Sequence, residues 1–175
     1  MAIKKIIKYP TSSLQKKCRP VEWPDPQWSP EFLAEHLNDL HDTLVATSNG
    51  LALASNQILA DGLRLFVVKP GTTKLPLQLF NPIWWWNEPE QLAVNEGCLS
   101  FPNVWTKILR MQRITVRFQD THGELHEIKE VSGLDAQIVQ HEVDHLNGRI
   151  LIDYMTKDRR VRVLMDAIRD RKTGK

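Results

Sequence analysis

His141, Glu142 and His145 fall within the run Gln140-His141-Glu142-Val143-Asp144-His145, whose residue types and spacing suit metal-assisted hydrolysis. Two histidines four apart project from one face of a helix, a turn apart, and can clamp one divalent ion. Glu142, beside the first histidine, stands where a carboxylate can carry the proton of a water at that ion. The chain has two cysteines, Cys18 and Cys98. Far apart in sequence, they make a weak case for a disulfide. A thiolate at Cys98 that joins the histidines, in a reducing compartment, is the better reading, and Cys18 reads as packing.

The elements that must hold these groups are partly visible. Ser132 followed by Asp135 resembles a capping box that opens the histidine helix, and Gly148 sits where that helix can stop. Along it Leu134, Ile138, His141 and His145 share one face, so the turns before the first histidine offer an apolar wall, with the polar Gln137 at its edge. Phe32, Leu33, Leu37, Leu40, Leu44 and Val45 repeat with helical spacing between Pro30 and Ala46, with Ser29 as N-cap. A short helix is expected over Pro10–Lys17, and another helix, over about Lys157–Arg171, closes the chain. Strands are expected over Leu63–Val68 and Leu77–Asn81. Alternation of Ile114, Val116 and Phe118 with polar residues predicts another, paired through a Thr121-His122-Gly123 turn with Glu124–Val131. Trp84, Trp85 and Trp86 read as packing on a strand rather than as a stacking surface.

The sum is an α+β fold in a single domain, residues 1–175, with mixed or antiparallel β-sheets packed around the central HExxH helix and helices at both ends. At 175 residues and 42% hydrophobic content the chain can bury a real core. A net charge of +2 argues against nucleic acid as substrate, and no apolar run is long enough for a membrane helix. No signal peptide is read at Met1-Ala2-Ile3-Lys4-Lys5, so a cytoplasmic location is expected. The segment Thr156–Lys175 carries eight Lys/Arg against three Asp, with Val161, Leu164 and Ile168 as an apolar seam.

Three segments together resemble the motifs of the peptide deformylase family. These are Gly50-Leu51-Ala52-Leu53-Ala54-Ser55-Asn56-Gln57, Glu96-Gly97-Cys98-Leu99-Ser100, and Gln140 through Gly148. The second matches at every position. The first departs at Ala52, where the family usually has glycine, and at Ser55. Further likenesses at Tyr9-Pro10, Asn81-Pro82 and Asp153-Tyr154 extend the resemblance along nearly the whole chain.

The resemblance implies hydrolysis of the N-formyl group from N-formylmethionyl nascent peptides. Cys98, His141 and His145 would be the metal ligands and Glu142 the proton carrier. Gln57, through its amide, and Leu99, through its backbone N–H, would face the formyl oxygen, each worth about 3–4 kcal/mol in the transition state. Gly50, Leu51, Val94, Leu134 and Ile138 would bind the substrate, with Gln137 and Trp105 as departures from the family pattern. Arg110 would pair with Asp144 behind the site. The ion would be Fe2+ in cells, with Zn2+, Ni2+ or Co2+ in purified protein. The resemblance further implies a ribosome contact through the basic C-terminal helix, which in bacterial relatives docks near the nascent-chain exit. Two other readings compete. An HExxH protease would take a third ligand downstream, from Asp153 or Asp158. A deformylase-like fold kept only for binding peptide or ribosome would not need the whole reactive set.

Overall fold

The computed structural model describes residues 2–173. Gly174 and Lys175, counted above in the basic segment, lie outside the described residues, as does Met1. Helix α1 (Pro30–Val45) leads into β1 (Ala52–Ala54), β2 (Leu65–Val68) and β3 (Gln78–Trp85). Strands β4 (Gln91–Cys98), β5 (Phe101–Met111), β6 (Arg113–Gln119) and β7 (Leu125–Ser132) follow. Helix α2 (Gly133–Leu146) carries both histidines, and α3 (Lys157–Thr173) comes last. The expected α+β class holds, and the sheets are antiparallel.

Five strands form one sheet in the order β1-β2-β3-β6-β7, and β4 with β5 forms a separate two-stranded sheet. Strand β2 is apolar throughout because both its faces are covered. Phe66 and Val68 point to the cluster under α2, with Leu79, Val116, Val139 and Val143. Leu65 and Val67 point the other way, to Leu40 and Leu44 of α1. Period-two alternation thus wedges the sheet between the two helices. A third cluster, with Leu14, Phe101, Ile108, Leu151 and Met155, ties β5 to the segment after α2.

Helix α1 starts as expected: Ser29 Oγ accepts from Phe32 N–H at 3.2 Å, with Pro30 at the first turn. The hairpin of β6 and β7 also forms, with Gly123 at φ +82° in its turn. Three expectations are corrected. Pro10–Lys17 is not a full helix but a 3-10 turn over Ser12–Gln15. Leu14 and Lys16 bond back three residues, and Cys18 N–H turns away to the Leu146 carbonyl at 2.9 Å. Cys18 itself is buried in the core, where burial pushes its thiol up to about 12.

The capping box of Ser132 and Asp135 does not form. Ser132 makes no side-chain cap bond, and Asp135 Oδ2 accepts instead from Lys74 N–H at 3.2 Å. Gly133, at φ +59°, turns the chain straight from β7 into α2. At the other end of α2, Gly148 has φ +73°, and a Cβ there would meet the Gln15 carbonyl oxygen at 2.4 Å. The stop signal is therefore also a close approach of two chain segments. On α3 the seam differs: Val163 packs against the third cluster, while Val161 and Ile168 remain exposed. The helix meets the body mainly at its first turns, so its later apolar residues find no wall. Of the three tryptophans, Trp84 packs on the core, Trp85 lies under the Arg117 guanidinium and Trp86 is exposed.

No helix among the described residues is long and apolar enough to cross a membrane.

Candidate active site

Helix α2 sets the first two groups. Its 3.6-residue turn stacks His141 and His145 with ring centroids 5.1 Å apart. The last residue of β4 supplies the third. Cys98 Sγ comes to 3.2 Å from His145 Nε2, and one ligand atom from each of the three residues lies within 4.8 Å of the others. The β4–β5 pairing shifts register between Gly97 and Cys98, at the turn through Leu99 and Ser100.

Gln57 arrives from the 3-10 turn Ser55–Gln57 at the end of β1. That turn is anchored by Ser55, whose hydroxyl oxygen accepts from Leu63 N–H and pairs with His36 Nε2 at 2.8 Å. Burial lowers the His36 pKa to about 4, so the imidazole in this pair is neutral. Gln57 Oε1 accepts from Ala54 N–H at 2.9 Å, and Nε2 donates to Ser100 Oγ at 3.1 Å. The same Nε2 lies 3.7 Å from the Cys98 sulfur. With the oxygen pinned, the amide N–H faces the cluster.

Behind the histidines lies a buried charge network. His141 Nδ1 donates to Glu96 Oε2 at 2.8 Å, which leaves Nε2 for an ion. Both Glu96 oxygens take the Arg110 guanidinium at 2.8 Å. Arg110 also reaches Asp144 Oδ2 at 2.6 Å, where the Tyr154 hydroxyl donates as well. The expected Arg110–Asp144 pair is therefore present. Burial would raise the Glu96 carboxyl, but Arg110 and His141 outweigh it and bring it down to about 2. Burial would likewise raise the Cys98 thiol. The charges and hydrogen bonds of His145 and His141 prevail and hold it well below its ordinary value. Glu142 is raised, chiefly by burial, against the pull of the two imidazoles. Its Oε2 is buried with no hydrogen-bond partner among the described residues.

This donor set fits a divalent transition ion. A cysteine sulfur and two imidazole nitrogens suit zinc, iron, nickel or cobalt, and three protein donors leave a position for solvent. Asp153 is not a ligand, since its Oδ2 accepts from Ile150 N–H at 2.9 Å within its own turn. Asp158 is likewise outside the cluster. A second grouping, Asp120, Glu124 and His126, belongs to the β6–β7 turn, where Asp120 accepts the turn's backbone N–H groups.

The cluster opens into a cleft of about 530 Å³ lined by Gly50, Leu51, Leu134, Gln137, Ile138 and Glu142, among others. At Gly50 a Cβ would lie 2.3 Å from Thr47 Oγ1, so any larger residue there would have to displace the Thr47 side chain. Leu99 also lines the cleft, and its carbonyl accepts from Lys8 Nζ at 2.7 Å. Val94 lines a neighbouring cavity of about 590 Å³, which shares Gln137 with this cleft. Four residues of extended strand put it ~13 Å from Cys98. Trp105 lies at the cleft with its ring over Gly97, where a Cβ would come 3.2 Å from the indole. Its carbonyl accepts from Arg159 of α3.

Sequence reasoning gave no role to Ser100, Tyr154 or Glu96. Glu96 had a usable signal, because on a strand it shares a face with Cys98 two residues on. Tyr154 had only its place in the Asp153-Tyr154 likeness, because a 3-10 turn is what brings it back to Asp144.

The polypeptide deformylase family model matches residues 3–161. The peptide deformylase of Bartonella quintana (strain Toulouse) is 37% identical over 167 residues, covering 94% of this chain and 90% of its own. That of Afipia carboxidovorans is 38% identical over 168 residues, covering 94% and 93%. Among solved structures, a peptide deformylase from Legionella pneumophila superposes with a TM-score of 0.82 at 32% identity, covering 99% of each chain. One from Ehrlichia chaffeensis in complex with actinonin gives 0.81 at 28% identity, covering 98% of each. Matched in sequence and in fold across nearly all of its length, the chain belongs to the polypeptide deformylase family.

Proposed function

We propose that this enzyme hydrolyses the N-formyl group of N-formylmethionyl nascent peptides and releases formate, with residues 1–175 as one catalytic domain. The observation that carries this reading is the meeting of Cys98, His141 and His145 beside Glu142 and Gln57 in one open cleft. A module kept only for binding would have no use for a depressed thiol next to a buried carboxylate whose oxygen has no partner among the described residues.

Cys98, His141 and His145 would hold the ion, which we take to be Fe2+ in cells, with Zn2+, Ni2+ or Co2+ able to replace it. Bound there, a divalent ion acidifies a water and polarises the formyl carbonyl. The residues of the chain then divide the work. Glu142 accepts the proton of the attacking water and returns it to the leaving nitrogen. Gln57 Nε2 and the Leu99 N–H donate to the formyl oxygen as it gains charge. Gly50, Leu51, Leu134 and Ile138 receive the peptide and its first side chain, with Val94 contributing from the adjoining cavity. Glu96 keeps His141 in the tautomer that offers Nε2.

Nickel-loaded protein is expected to release formate from formyl-Met-Ala-Ser, and chelator-treated protein to stop. Background formate from fully loaded protein would hand the fold to the binding-only reading.

The enzyme would act in the cytoplasm, where nascent chains are made. The basic segment from Thr156 onward, with exposed Val161 and Ile168 on α3, supports a ribosome contact. Deleting residues 169–175 should weaken ribosome binding several-fold and flatten its salt dependence, while hydrolysis of the tripeptide is retained. Undiminished sedimentation with ribosomes would remove that contact.

A further inference from the structure

Gln137 has a position no other residue shares. It lies one helical turn before His141, on the α2 face that bears Leu134 and Ile138. It is also the one residue common to the walls of the 530 Å³ cleft and the 590 Å³ cavity beside it. Among the described residues its amide has no hydrogen-bond partner, although the α2 amide one turn further on, Gln140, is bonded at both ends to Met111. The far cavity offers apolar walls in Leu92, Val94 and Met111, with Arg113 and Gln112 at its polar side.

An amide in this partition gains little from an unmodified methionine. A thioether is a weak acceptor, so covering the amide with it strips water from two donors and an acceptor without return. An oxygen at the same depth would accept the amide N–H and restore the lost bond. We propose that Gln137 is a specificity-determining residue. The divided pocket admits a formylated first residue whose side chain carries a hydrogen-bond acceptor, such as methionine sulfoxide, alongside methionine. The proposal rests on the deformylase reading and refines its substrate range. Under it, a nascent chain whose initiator residue has been oxidised is still deformylated.

The test uses nickel-loaded enzyme and three peptides: formyl-Met-Ala-Ser, formyl-norleucine-Ala-Ser and formyl-Met-sulfoxide-Ala-Ser. Wild-type kcat/KM for the sulfoxide is expected within about tenfold of that for methionine. In Gln137→Leu and in Gln137→Met the sulfoxide-to-methionine ratio should fall about tenfold, the scale of one hydrogen bond, while the norleucine-to-methionine ratio holds or rises. Two apolar variants guard against one that folds poorly. A ratio within twofold of wild type in both variants overturns the proposal. The same contrast should appear in equilibrium binding of the three peptides to Glu142→Ala protein with and without Gln137→Leu. If wild-type enzyme hydrolyses none of the peptides, the deformylase reading fails, and the binding ratios still decide the role of Gln137. Binding of the sulfoxide peptide that is indifferent to Gln137→Leu then refutes it.

Discussion

Replacing Glu142 by Ala or Gln is expected to lower kcat/KM for formyl-Met-Ala-Ser by about 10²–10⁴-fold, the span of a positioned proton carrier. Metal content should stay at the wild-type level, because Glu142 is not one of the three clustered donors. Stability should move the other way. Glu142 is buried with an oxygen that has no partner among the described residues, and a group held in that way costs the fold free energy. Glu142→Gln should therefore melt no lower than wild type as apoprotein. A variant that keeps both its metal and its rate would strip Glu142 of the proton-carrying role. One that loses its rate together with its metal would assign Glu142 to holding the ion.

Which parts of the site could be read from sequence follows from the range of the forces that build them. His141 and His145 are placed by one helical turn, so their spacing alone put them together. Gln57 and Cys98 come from the ends of β1 and β4, and only motif resemblance could join them to the helix. The two-stranded sheet was not legible. No strand is read over residues 91–111, yet β4 and β5 pair along nearly their whole length. Their exposed apolar residues, Leu92 and Leu109, point outward. Alternation that marks one face as core therefore gives no signal there. The entry to α2 failed for a different reason. Ser132 and Asp135 have the cap spacing, but Asp135 finds Lys74, 61 residues away, and that preference is tertiary.

Arg110 gives the second large effect, and it acts without touching the cluster. Its side chain is 6% exposed and holds two carboxylates at once, Glu96 through two bonds and Asp144 through a third. In Arg110→Ala both acids lose their counter-charge in a buried place, a change that costs about 3–5 kcal/mol at neutral pH. Glu96 then has less reason to remain ionised, so its hold on the His141 N–H weakens, and metal affinity should fall about 10–100-fold. Arg110→Lys should recover only part of both losses, because one ammonium cannot make the paired contact to Glu96.

The sign with pH is fixed by Glu96. Its folded pKa, about 2, lies below the ordinary 4.5. In wild type its stabilisation is present above pH 4.5 and is lost as pH falls toward 2. In Arg110→Ala the share of that contribution owed to Arg110 is already gone, and only the His141 share remains. The gap in urea midpoint between the two apoproteins should therefore be widest near neutrality and close as pH drops below 4.5. A gap that widens in acid would mean that Arg110 is not stabilising a carboxylate. An Arg110→Ala enzyme with full metal content, full rate and an unchanged midpoint would show that this buried network has no bearing on the histidine it touches.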